Sequence, residues 1–80
     1  MLDGLFLFYD TFGVPFEVIF DECRAAQVMP SWRHLYRDAR QAGWSHQRIL
    51  ARLWESLGDV YGGEFRDIVI RRLQEQFSET

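Results

Sequence analysis

The side chains able to do chemistry in this chain are few and scattered. The one cysteine, Cys23, and the two histidines, His34 and His46, share no ligand spacing, and nothing resembles a Cys-x-x-Cys or His-Glu-x-x-His site. Cys23 lies among apolar residues and reads as a small core residue rather than a nucleophile. Asp21 and Glu22 are adjacent, so on a helix they diverge and cannot share a proton. The stretch "YGGEF" reads as a linker, and no Gly-rich phosphate loop leads into a helix. The chain therefore does not read as an enzyme, and no catalytic residue, metal or cofactor is expected.

The charged residues carry a stronger signal. All nine basic residues are arginine, and the formal net charge of −3 conceals a segmental pattern. Residues 1–22 hold five acids and no base, residues 23–54 hold six arginines against Asp38 alone, and residues 55–80 hold six acids and three arginines. Arg33, Arg37 and Arg40 recur at spacings of four and three, a stripe opposite Trp32, Leu35 and Ala39. Arg48 and Arg52 form a second stripe one helix further on. If those helices pack antiparallel, the stripes join into a basic patch suited to an acidic protein surface or a nucleic-acid backbone. The alternative is that the patch neutralises the acidic terminal helices within the same fold. Arginine suits bidentate and stacked contacts, and with aromatics it is the type that most often anchors protein interfaces. The candidate partner surface is thus Trp32, Arg33, Tyr36, Arg37, Arg40, Trp44 and Arg48.

Positioning such a surface falls to helices. Eighty residues make one domain, 1–80, with 48% apolar and 16% aromatic residues, a composition that opposes disorder. Period-3.6 patterning dominates, and five helices are expected at about 2–12, 15–27, 31–42, 46–57 and 64–77, with 78–80 a frayed tail. Leu2, Leu5, Phe6 and Tyr9 share a face of the first, and Leu7, Phe8 and Phe12 make it apolar on nearly every side. Gly13 can stop it and Pro15 suits the start of the second, whose buried face is Phe16, Ile19, Phe20 and Cys23. Pro30 breaks the chain before Ser31, a natural N-cap, and Gly43 closes the third helix. Ser45 caps the fourth, with Trp44 placed to staple onto Ile49. That helix should bury Ile49, Leu50, Leu53, Trp54 and Leu57 and end at Gly58. The fifth should bury Phe65, Ile68, Val69, Leu73 and Phe77. Short connectors between these elements give an all-α, compact bundle of four to five helices.

The stretch "LFLFYDTFGVPFEV", residues 5–18, resembles a segment of bacterial alanyl-tRNA synthetases. Leu5, Phe6, Tyr9, Asp10, Thr11, Gly13, Pro15 and Glu17 match, and "DECRAA" follows as it does there. In that family the segment closes the tRNA-recognition region, so the resemblance implies a tRNA acceptor-stem contact near Asp10. The synthetase catalytic motifs and the metal-binding histidines of the editing domain are absent, so no synthetase activity is implied. "GVPFEVIFDECRA" is also similar to the helix start of small bacteriophage tail and morphogenesis proteins, which implies a non-enzymatic protein-binding role.

Three functions follow in order of expectation. The first is a small non-catalytic helical module or regulator, phage or mobile-element encoded, that binds another protein. The second is an RNA-binding module using Asp10, Arg33, Arg37, Arg40 and Arg52. The third is a helix-turn-helix DNA-binding regulator built from residues 45–73. Against the third, the connector at about 58–63 exceeds the turn of that motif, and Glu64 and Asp67 would face phosphates. The longest apolar run, Leu5 to Tyr9, is too short to span a bilayer, and the N-terminus has no signal-peptide pattern. With one cysteine there is no internal disulfide, so a cytoplasmic protein without a membrane partner is expected. Self-association is expected as well, because the first helix exposes apolar side chains unless something covers them.

Overall fold

A computed structural model describes residues 1–78, and among them the chain is all-α, with five helices and no strand. The helices are α1 (Leu5–Phe12), α2 (Phe16–Ala25), α3 (Trp32–Gln41), α4 (His46–Tyr61) and α5 (Gly63–Gln76). Of the expected tail, only Ser78 falls within the described residues.

Most of the boundaries have local causes. Gly13, at φ 68°, turns α1 off: its own N–H reaches the Tyr9 carbonyl at 3.0 Å, and Val14 N–H reaches that of Phe8 at 3.3 Å. Pro15 supplies the carbonyl that takes the first N–H groups of α2, from Val18 and Ile19. Ser31 and Ser45 cap α3 and α4 as expected, accepting from the N–H groups of His34 (3.4 Å) and Arg48 (3.1 Å). Gly43 closes α3, with its N–H on Arg40 O and that of Trp44 on Ala39 O.

Four expectations are corrected. α1 begins at Leu5 rather than residue 2, because Leu2 is extended and pairs with the α2–α3 loop in an isolated parallel bridge to Pro30. Leu2 N–H donates to Met29 O and Ser31 N–H to Leu2 O, so the N–H that proline lacks is not needed. α2 stops at Ala25, since Gln27 takes a left-handed φ of 58° and Val28 N–H closes onto Cys23 O at 2.9 Å. α4 runs through Gly58 to Tyr61, and the connector to α5 shrinks from residues 58–63 to Gly62 alone, at φ 91°. Trp54 and Ile68, expected in the core, are 50% and 47% exposed.

Rings hold the helices together. Tyr9 of α1 stacks on Phe16 of α2 at 4.4 Å, and Trp44 meets Phe6, Tyr9 and Phe16 edge-on at 5.4 to 6.1 Å. Phe16 stacks on Phe20, and Trp32 links Phe20 to Tyr61 and Phe65. This chain of contacts runs from α1 to α5 around the aliphatic centre of Leu35, Ile49, Leu53, Leu57, Val69 and Leu73. α5 turns back along α4, so that Arg66 lies against both Gly58 and Trp54.

Candidate binding surfaces

The seven residues expected to form a partner surface divide by residue type. The three rings are absorbed by the fold. Trp44 is buried between α1 and α2, as above. Tyr36 is also buried; its hydroxyl shares a 2.6 Å hydrogen bond with His46 Nδ1, and its ring stacks on Phe77 at 4.1 Å. Trp32 is half-buried in the Phe20–Tyr61–Phe65 cluster. The three rings of the expected surface thus lie below its arginines, two of them buried and Trp32 half-buried.

The arginines stay outside. Arg33, Arg37, Arg40, Arg48 and Arg52 are all exposed. Three are moored, two by rings beneath them and one by a backbone carbonyl. Arg37 lies over Phe77 at 5.9 Å, Arg40 donates Nη1–H to Trp44 O at 3.3 Å, and Arg48 covers the Trp44 ring at 3.8 Å. Residue 44 is thus a common anchor for the last arginine of the first stripe and the first of the second. Among the described residues the one ion pair within 4 Å is Arg66 Nε with Asp67 Oδ1 at 2.9 Å. The central arginines therefore do not neutralise the acidic helices by direct pairing. Arg37, Arg40 and Gln41 also edge a cleft of about 430 Å³ floored by Tyr36 and Phe77.

A second concavity was not anticipated. The Leu2 segment, α1 and α2 enclose a groove of about 380 Å³ lined almost wholly by apolar side chains. Leu7, Phe8 and Phe12 on α1, Val18 on α2, and Val28 and Met29 in the following loop are 40–68% exposed. The only signal for it in the sequence is that the first helix is apolar on nearly every side, which requires some of its residues to face outward.

Both histidines are engaged by neighbouring hydroxyls. His34 Nδ1 lies 2.6 Å from Ser31 Oγ at the α3 cap, and His46 Nδ1 is taken by Tyr36. No group of three or more His, Cys, Asp or Glu that could hold a metal exists among the described residues. The Cys23 thiol is pushed above its ordinary pKa by burial and then by the charge of Glu22, which keeps it protonated and a poor nucleophile. Asp10 is exposed on α1. No helix is long and apolar enough to cross a membrane.

Compared with known protein families, curated proteins and solved structures, the chain finds no match.

Proposed function

We propose that this chain is a small non-catalytic binding module that holds an acidic protein surface on the arginine face of α3 and the first half of α4. One observation carries this reading: five exposed arginines, Arg33, Arg37, Arg40, Arg48 and Arg52, form no ion pair among the described residues. A fold with more acids than bases has left these five guanidinium groups without a carboxylate partner among the described residues, and guanidinium pairs bidentately with carboxylates. Phosphates would attract the same groups, but sequence-tolerant binding of single strands also needs rings on which bases stack. Trp32, Tyr36 and Trp44 are turned into the fold instead, and this favours a protein over single-stranded RNA. A buried free thiol fits a reducing compartment such as the cytoplasm.

The test is affinity capture from the native host, with the wild-type chain and the Arg33→Glu/Arg37→Glu variant compared by mass spectrometry. The reading expects an acidic protein to be retained by the first and lost by the second. Retardation of tRNA or duplex DNA at low salt, abolished by the same variant, would move the site to nucleic acid.

A further inference from the structure

We propose that the apolar groove between the Leu2 segment, α1 and α2 is a second docking site, and that its occupant is a cationic amphipathic helix of a partner protein. The walls are Leu2, Phe8, Val14, Val18 and Val28, with the buried Cys23 below them. Leu2, Phe8, Val18 and Val28 are each 41–49% exposed, so the groove is an open apolar concavity rather than isolated surface residues. Its volume of about 380 Å³ lies within the usual range of binding clefts, and an amphipathic helix fills such a groove with side chains at i, i+3 or i+4, and i+7. The Leu2–Pro30 bridge ties one wall to the α2–α3 loop, which holds the groove open without the occupant.

Charge selects the occupant. Glu22 is the one charged residue in the lining, it is exposed, and it has no ion pair among the described residues. Asp3 follows Leu2 in the chain, Asp21 precedes Glu22, and residues 1–22 hold five acids and no base. A helix entering with basic residues beside its apolar stripe would meet the Glu22 carboxylate, the one charge in the lining. A second copy of this chain fits less well. A two-fold interface brings the same patch from each copy together, so the acidic segment would face itself.

The inference uses residues separate from the arginine face, and it can fail or hold independently of that reading. The probe is a fluorescent peptide of about 14 residues, roughly four helical turns, with Leu at i, i+3, i+4 and i+7 and Arg elsewhere. A matched peptide carries Glu in place of Arg. Anisotropy titration should show binding of the Arg peptide and at least about ten-fold weaker binding of the Glu peptide, the factor that 1.4 kcal/mol represents. Val18→Asn and Phe8→Asn, both at exposed positions and without change of charge, should each weaken the Arg peptide by about ten-fold or more with the helical circular dichroism unchanged. Glu22→Arg should narrow or reverse the preference between the peptides, and Arg33→Glu/Arg37→Glu should leave it alone. Equal binding of the two peptides, or undiminished binding by both groove variants, overturns the inference. A dimer seen by light scattering and dissolved by the charge-neutral Val18→Asn overturns it too, by giving the groove to a second copy.

Discussion

The guanidinium of Arg48 lies 3.8 Å from the centre of the Trp44 ring, while Phe6 and Tyr9 meet the same ring edge-on at 5.4 Å. One residue therefore belongs to the core on one account and fixes the candidate surface on another. Truncating the ring should damage the fold before it damages binding. Trp44→Ala is expected to lose about 3–5 kcal/mol of stability, as large core rings do, whereas Arg48→Ala should lose about 0.5–1 kcal/mol, the worth of an exposed cation–π contact. Urea unfolding followed by far-UV circular dichroism separates the two. A loss near 1 kcal/mol for Trp44→Ala would return that ring to the surface.

Reversing Arg33 and Arg37 should do the opposite. Arg33 is exposed, and Arg37 has only a 5.9 Å contact over Phe77. The double change to Glu is expected to alter stability by less than about 1 kcal/mol, in keeping with surface substitutions, while abolishing capture of the acidic partner. Salt dependence then identifies the partner class. Counterion release makes nucleic-acid binding fall by orders of magnitude between low and moderate salt, and a protein interface changes far less. A steep fall would favour the RNA reading and make Asp10 the next residue to change.

Two opposite glycine exchanges should both stabilise the chain. Gly58 sits inside α4, where a Cβ would meet only the side chain of Arg66, Nη1 at 3.2 Å and Cδ at 3.4 Å, which a small shift of that side chain relieves. Gly58→Ala is expected to gain about 0.5–1 kcal/mol, the helix-interior penalty of glycine. Gln27 holds a left-handed φ of 58° at the end of α2, a conformation that costs a side-chain-bearing residue about 1 kcal/mol. Gln27→Gly should recover part of that, offset by the extra freedom of glycine in the unfolded chain. Thermal midpoints that fall for Gly58→Ala would mean that the Arg66–Trp54 stack cannot give way.

How much of this was legible in the sequence depends on how local the cause is. The Ser31 and Ser45 caps, the Gly13 and Gly43 stops and the period of three and four in α2 and α3 are set by neighbours within a turn. They appear in the structure as read. Gly58 misled because a helix interior tolerates one glycine when packing against the next helix offsets the propensity, and Arg66 and α5 supply that packing. The Leu2–Pro30 bridge, a single pair, leaves no alternation to detect. The arginine stripe was legible because exposed cations are placed by period alone. Whether Trp32, Tyr36 and Trp44 face in or out depends on Phe6, Phe20, Phe65 and Phe77, each at least 12 residues away from the ring it meets. The apolar groove depends likewise on three segments meeting.

Alkaline titration gives a test of the core itself. Burial, with Glu22 adding to it, raises the Cys23 thiol above its ordinary pKa; burial and then Cys23 raise the Tyr61 phenol, against an opposing pull from Arg24. Both groups are neutral when protonated, so the folded chain keeps these protons to higher pH than the unfolded chain does. As pH rises the unfolded state releases them first, and stability drains toward it. Stability from these groups is therefore complete below the unfolded pKa values. It should begin to fall above about pH 8.5, where a free thiol ionises, and fall further past about pH 10, where a free phenol does. Urea midpoints from about pH 8 to past about pH 10 measure the decline, and Cys23→Ala should remove its lower part and shrink the upper, since Cys23 is one cause of the raised Tyr61 phenol. An unchanged slope in that variant would mean that Cys23 has the same pKa folded and unfolded. A thiol reagent at mildly alkaline pH supplies an independent reading, with slow reaction expected in the native chain and fast reaction in urea.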